Sequence, residues 1–377
     1  MANIYIHYPF CKKACHYCNF HFSTKLKNQS IVLEGILKEI ELRSDEIISP
    51  IESIYFGGGS PSLMEANCIE KILNKIFNKY KIKNNLEVTL ELNPDDFSKD
   101  YINNIKNYGV NRVSLGVQSF DEFDMKLLNR NHSPYQSIKA LDYISSLYDN
   151  FSLDLIYGIP YSSMEKWKNN IKIALEYKPP HLSCYSLTIE PKTILNYKVE
   201  RGEIELLHEK LVEKQYNYLI RELELNGYKN YEFSSFALPG YYSINNSNYW
   251  NGKSYIGIGP SAHSYDGKFR RSWNTSNNIK YTKAITSNKL PFNEEKLNIN
   301  DLYNEFIMTG LRKEDGVSLE KVRSLFGDKY KDYLIKQSEN HIINKNMFFD
   351  GDKIKISKKA KFLTDGLSSD LFFLDIN

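Results

Sequence analysis

No stretch of this 377-residue chain carries the ~18 uninterrupted apolar residues that a membrane-spanning helix needs. The first residues, Met1-Ala2-Asn3-Ile4-Tyr5-Ile6-His7, lack the basic start and long apolar segment of a secretion signal. Charge of one sign is missing too: 49 Lys and Arg stand against 46 Asp and Glu, spread along the chain, for a net charge of +3. Such a balance does not demand nucleic acid, and no nucleic-acid partner is expected. Cysteine is scarce, five residues in all, and the odd number argues against a disulfide framework. A cytoplasmic, reducing setting is the expectation these absences leave.

What the chain does have is enough apolar material, 41% of residues, for one large domain and a smaller one. Runs rich in β-branched and aromatic residues at about 3–8, 52–57, 87–92, 112–117, 151–158 and 181–189 predict six strands. Between them lie helical periodicities such as Ile69, Ile72, Leu73, Ile76 and Phe77, then Tyr101, Ile102, Ile105 and Tyr108. Strand alternating with helix means parallel strands and right-handed crossovers, either an incomplete barrel or a doubly wound sheet. In both, functional loops lie beyond the carboxyl ends of the strands. The alternation stops after a helix near 207–227, and 236–263 reads as loop-like, rich in Gly, Ser, Asn and aromatic residues. The expected division is a core over 1–235, a connecting segment over 236–290, and a smaller, mostly helical C-terminal domain over 291–377 for which a winged-helix-like form is one option.

Three of the five cysteines fall in Cys11-Lys12-Lys13-Ala14-Cys15-His16-Tyr17-Cys18, just after the first predicted strand. The C-x3-C-x2-C spacing lets one loop ligate three irons of a cubane and leaves the fourth iron without a cysteine. A structural zinc site would want a fourth protein ligand, which His16 or His21 is near enough to offer. The other motifs fall on the same rim. Gly57-Gly58-Gly59-Ser60 follows strand two, Glu91-Leu92-Asn93-Pro94 ends strand three, Gln118 follows strand four, and Asp154 to Gly158 closes strand five. Cys68, on a helical periodicity, and Cys184, in strand six, read as buried inert thiols.

The cysteine spacing resembles that of the radical S-adenosylmethionine (SAM) superfamily. The resemblance implies a partial (β/α)6 barrel, a 4Fe-4S cluster on Cys11, Cys15 and Cys18, and SAM chelated by the open iron. An electron from the cluster then breaks a carbon–sulfur bond of SAM, giving methionine and a 5'-deoxyadenosyl radical. Tyr55-Phe56-Gly57-Gly58-Gly59-Ser60-Pro61-Ser62 looks like the family's glycine-rich segment, where the amides of Gly58, Gly59 and Ser60 would approach the methionine end of SAM. Glu91, Gln118, Arg130 and Asp154 match positions that line the SAM pocket in related proteins, and their types suit its ammonium, carboxylate and ribose groups. Tyr17 resembles an aromatic near adenine, and Tyr5 a tyrosine beside SAM.

Within the superfamily, four segments resemble the HemN/HemW group. They are Gly116-Val117-Gln118-Ser119-Phe120, Asp154-Leu155-Ile156-Tyr157-Gly158-Ile159-Pro160, the run from His181 to Pro191, and Gly257-Ile258-Gly259-Pro260-Ser261-Ala262-His263-Ser264. The group holds oxygen-independent coproporphyrinogen III oxidases and HemW-type heme chaperones. Three features point to the chaperones: Phe20 stands where the oxidases carry an extra cysteine, Cys11 comes almost at once, and the tract ending in Tyr249-Trp250 resembles the chaperones' His-Asn-x-x-Tyr-Trp motif. Here that motif begins with Asn245-Asn246, so an amide stands where the axial histidine of a heme is expected. His263 is a substitute ligand to weigh, Tyr249 another, and Trp250 suits a porphyrin face. The resemblance implies heme, a heme-acceptor protein and a flavodoxin or ferredoxin-like electron donor as partners. The oxidase reaction, and a radical SAM reaction on another substrate, are the alternatives.

Overall fold

The computed structural model describes residues 2–374. The six apolar runs form strands β1 (Ala2–Tyr8), β2 (Ile51–Gly58), β3 (Ile82–Leu92), β4 (Arg112–Gln118), β5 (Phe151–Tyr157) and β6 (His181–Ser186). They pair in parallel in sequence order, β1 to β6. A doubly wound sheet reverses its order at a switch point; this one keeps winding in one direction, as a barrel does. The crossovers carry helices α1 (Gln29–Leu42), α2 (Ala66–Lys79), α3 (Lys99–Asn107), α4 (Glu122–Leu127), α5 (Pro134–Leu147) and α6 (Met164–Glu176), with α7 (Ile194–Glu200) and α8 (Glu209–Leu225) after β6. On α2 the periodic Ile69, Ile72, Leu73 and Ile76 are fully buried against the sheet, whereas Phe77 stays exposed at the stripe's edge. Cys184 is buried and Cys68 only partly so.

Each strand turns one set of side chains outward to the helices and the other into the barrel. Ile4, Ile6, Ile54, Phe56, Val88 and Leu90 belong to the outward, apolar set. The inward set is polar, as register shows: Asn3 pairs with Ser53 and Ser53 with Glu87, while further along Glu91 pairs with Ser114 and Asp154 with Ser183.

Both edges of the six-stranded core are extended. Beside β6 lie β8 (Ser235–Ala237) and β7 (Lys229–Glu232), antiparallel. Beside β1 lie β9 (Tyr255–Ile258), parallel to it, then the antiparallel β10 (His263–Tyr265), β11 (Arg270–Asn274) and β12 (Phe292–Lys296). The stretch that reads as loop-like is therefore largely ordered structure. It takes in most of β8, a helix, α9 (Ile244–Trp250), β9 and the start of β10, while α10 (Asn278–Thr286) lies between β11 and β12. Helix α9 lacks an apolar stripe because it packs on the polar inside of β1 and β2: Asn248 donates to Asn3 Oδ1 (2.7 Å), and Asn245 Oδ1 accepts from Ser53 Oγ (3.1 Å). It closes the barrel at the amino-terminal ends of the strands.

The C-terminal unit runs α11 (Ile299–Leu311), β13 (Val317–Ser318), α12 (Leu319–Phe326), α13 (Asp328–Ile343), β14 (Met347–Asp350), β15 (Lys353–Ile356) and α14 (Thr364–Ser369). It has its own core around Tyr303, Ile307, Val322, Leu334, Met347 and Ile354. Phe362 reaches across to the main core and lies 5.9 Å from the Tyr216 ring. Among the described residues, no helix is long and apolar enough to cross a membrane.

Candidate functional site

The cysteine loop leaves the carboxyl end of β1 and is pinned by backbone bonds on several sides. Gly59 N–H donates to Tyr8 O (2.9 Å), Ser60 N–H to Phe10 O (2.7 Å), Ser23 N–H to Pro9 O (2.9 Å) and His16 N–H to Leu128 O (3.1 Å). A Cβ on Gly59 would stand 2.6 Å from the Phe10 carbonyl, so only glycine lets the loop dock on the end of β2. The glycine-rich segment docks the cysteine loop as well as lining the cavity beside it. The amides of Gly59 and Ser60 hold the cysteine loop, and Gly58 N–H bonds Glu91.

Cys11, Cys15 and Cys18 line one cavity of about 930 Å³. Among the described residues, no three His, Cys, Asp or Glu side chains converge on a single ion-sized point. A zinc site takes its ligands at one ion, whereas a cubane takes each thiolate on a different iron, which is what a C-x3-C-x2-C loop can offer. Burial pushes the Cys11 thiol up to about 12 and raises Cys18 as well, a cost that a bound metal's charge would offset.

The same cavity is lined by Tyr17, Gly58, Gly59, Ser60, Glu91, Gln118, Arg130 and Asp154, eight positions scattered over more than 130 residues of sequence. Glu91 accepts from Tyr55 Oη (2.8 Å), and burial pushes its carboxyl up to about 7. Asp154, also raised by burial, accepts from Ser114 Oγ at 3.1 Å and Ser152 Oγ at 3.4 Å. Gln118 sits at φ 69°, in the left-handed region, where the β4–β5 register shifts. Such a kink in a non-glycine residue re-aims a side chain at the rim of a barrel.

Arg130 ties the parts together. Its guanidinium donates to Asn93 Oδ1 (2.7 Å), Gly116 O (2.9 Å), Cys15 Sγ (3.4 Å) and Tyr17 Oη (3.4 Å). A guanidinium keeps its proton, and its hydrogen bonds to Asn93, Gly116, Cys15 and Tyr17 offset the cost of burying it. Its Nε is buried without a partner, a donor left over beside the thiols. The donor set therefore fits an anionic cluster and a small zwitterion: three thiols, a fixed cation, two carboxyls held ready to ionise and a neutral amide.

Sequence reasoning assigned no site role to Tyr55, Asn93, Ser114 and Tyr185, which share this cavity, nor to Arg312, Phe362 and Asp365 from the C-terminal unit. Tyr55 was within reach, since its period-two spacing from Gly57 puts it on the inward face; the C-terminal residues carry no local signal.

The remaining site candidates lie elsewhere. Tyr5 sits beneath the cavity, stacked on Tyr55 at 6.1 Å, with its hydroxyl 3.2 Å from His7 Nδ1. Asn245 is 5% exposed, and its backbone N–H and that of Ile244 both donate to Glu87 at 3.0 Å. Asn246 donates to Tyr231 Oη (3.1 Å) and Ser235 Oγ (3.2 Å). Tyr249 packs edge-on against Tyr255 at 4.6 Å, and Trp250 lies under the Arg312 guanidinium at 5.0 Å. His263 is exposed at the start of β10, stacked 6.1 Å from Trp273, and partial burial lowers its pKa.

The Radical SAM superfamily model matches residues 5–174. The sequence is 33% identical to the heme chaperone HemW of Lactococcus lactis subsp. lactis (strain IL1403) over 376 residues, 99% of this chain and 98% of that one. The chain belongs to the HemW family. The heme chaperone HemW of Bacillus subtilis (strain 168) is 30% identical over 338 residues, covering 88% of this HemW-family chain and 87% of the relative. Among solved structures, the coproporphyrinogen III oxidase HemN of Escherichia coli, a radical SAM enzyme, is similar with a TM-score of 0.84. That match spans 98% of this chain and 90% of HemN at 19% identity, so it speaks to the fold: this HemW-family chain has the α/β radical SAM fold.

Proposed function

We propose that this chain is a radical SAM heme chaperone. Cys11, Cys15 and Cys18 hold a 4Fe-4S cluster, the cavity beside them takes SAM, and the chain binds heme and passes it to an acceptor protein in the cytoplasm. The observation that carries this reading is the convergence of the three loop thiols with Glu91, Gln118, Arg130 and Asp154 on one cavity. When bound, the cluster supplies the electron that breaks a carbon–sulfur bond of SAM, taken in turn from a flavodoxin or ferredoxin-like donor. The chain's own residues position and discriminate. Glu91, poised to ionise near neutrality, suits an ammonium, Asp154 suits hydroxyl donors, and Arg130 fixes Cys15 and Tyr17. Full-length relatives named as heme chaperones support the heme step. Asn245 is an amide committed to Ser53 and does not suit iron ligation, and His263, exposed at the start of β10, does not line the wide cavity.

The test is an anaerobic hemin titration of the cluster-reconstituted chain, followed by mixing with apomyoglobin as acceptor. Saturable, equimolar binding, with transfer to apomyoglobin, is expected. Consumption of coproporphyrinogen III with release of carbon dioxide, and no hemin binding, would contradict the proposal in favour of the oxidase reaction.

A further inference from the structure

The C-terminal unit meets the barrel along a seam that contains a second cavity, of about 260 Å³. Phe233 and Arg312 line both this cavity and the wide one, so they form the wall between them. Five basic side chains gather at the seam: Arg312, Lys313, Lys355, Lys358 and Lys361. Three of them meet a carboxylate, Arg312 with Asp365, Lys358 with Glu224, and Lys355 with Asp350 at 2.7 Å.

The other two are different. Lys361 Nζ donates to Asn230 Oδ1 (2.7 Å) and Lys313 Nζ to Asn251 Oδ1 (2.9 Å), and neither has a carboxylate within ion-pair distance among the described residues. The acidic groups that act on them from further off are Glu224, already held by Lys358, with Glu314 and Asp315. Burial lowers the pKa of both ammonium groups. Both are only partly buried, but each meets just a neutral amide oxygen, and a pair of such cations bordering one cavity suits an anion.

We propose that Lys313 and Lys361 form a carboxylate subsite at the seam, which takes a propionate of a tetrapyrrole whose apolar body lies against Phe233 and Phe362 in the wide cavity. The proposal rests on the heme reading above. Phe233 and Phe362 supply the aromatic surface, and Phe233 with Arg312 marks where an acidic arm passes from one cavity to the other. A free carboxylate meeting two ammonium groups makes charge-assisted hydrogen bonds, and an ester makes none of that strength.

Hemin and hemin dimethyl ester, titrated anaerobically into the cluster-reconstituted full chain, separate the possibilities. The wild type is expected to bind hemin about tenfold or more tighter than the diester, the effect of one or two hydrogen bonds to charge. The double variant Lys313→Met, Lys361→Met is expected to bind both ligands equally, at the wild type's affinity for the diester. Unchanged diester affinity also shows that the variant is folded. Equal affinity of the wild type for acid and ester would overturn the proposal and leave the heme reading standing, as would a variant that loses both ligands alike. Binding of neither by the wild type would remove the heme reading and the proposal with it.

Discussion

The two ends of the barrel are built from the same kinds of residue and do opposite things. At the carboxyl rim, polar groups face a cavity with their capacity partly unused: three thiols, a Glu91 carboxyl held near neutrality, and an Arg130 Nε with no partner. At the amino end, Asn245, Asn246 and Asn248 of α9 spend their capacity on Ser53, Tyr231, Ser235, Asn3 and the backbone cap from Glu87. Residue type does not tell the two apart; the polar side chains of the floor face one another, apart from Asn3 Nδ2 and Trp250 Nε1, whereas those of the rim face a cavity. A buried polar group packed on its partners is structure, and one turned to a cavity is waiting for something.

The comparison is broken most severely by removing a thiol. Cys15→Ala should lose the cluster outright, with iron falling well below the ~4 per chain of a cubane, while circular dichroism stays native; a full iron complement in the variant would end the ligand assignment. Next in size is the pH dependence of the rim. Burial raises the Glu91 carboxyl from its ordinary 4.5 to about 7. The folded chain therefore holds this proton more tightly than the unfolded chain. The stabilisation is complete below 4.5 and is lost as pH rises through about 7, by roughly 3 kcal/mol in all. Denaturant unfolding of the metal-free chain at a series of pH values, subtracted from the same series for Glu91→Gln, should show that decline. A flat difference would place Glu91 in water.

The floor should answer through stability alone. Glu87→Ala uncaps α9 at two backbone donors and should cost about 2 kcal/mol, read as a lower unfolding midpoint. Cluster content should not change; a loss of iron would tie floor to rim. Smallest of all is Asn245→His. Because this position faces Ser53 inside the barrel, hemin affinity should stay within about twofold, a free energy under 1 kcal/mol. A large gain would show that the floor opens to ligand.

Much of the rim was legible in the sequence because its parts are local. The six strands lie close to the six apolar runs, and their carboxyl ends and the loops that follow carry the cysteines, the glycines and Gln118 where strand-end logic places them. The floor was illegible for a physical reason. Apolar periodicity reports burial against apolar surface, and α9, with the sequence from Ile244 to Trp250, is buried against polar surface instead. The strands at both sheet edges, β7 to β12, are three to five residues long, too short for a period-two pattern to stand out. Arg312 and Asp365, which meet at the cavity, are 53 residues apart, and no local pattern records such a meeting.

The most direct test of the central claim, that the rim holds a cluster with an iron open to SAM, is electron paramagnetic resonance of the reconstituted, reduced chain before and after SAM is added. The account predicts a cluster signal whose shape changes with SAM, and whose change is lost in Glu91→Gln or Asp154→Asn. A signal indifferent to SAM, or a chain that takes up zinc in place of iron, would contradict it.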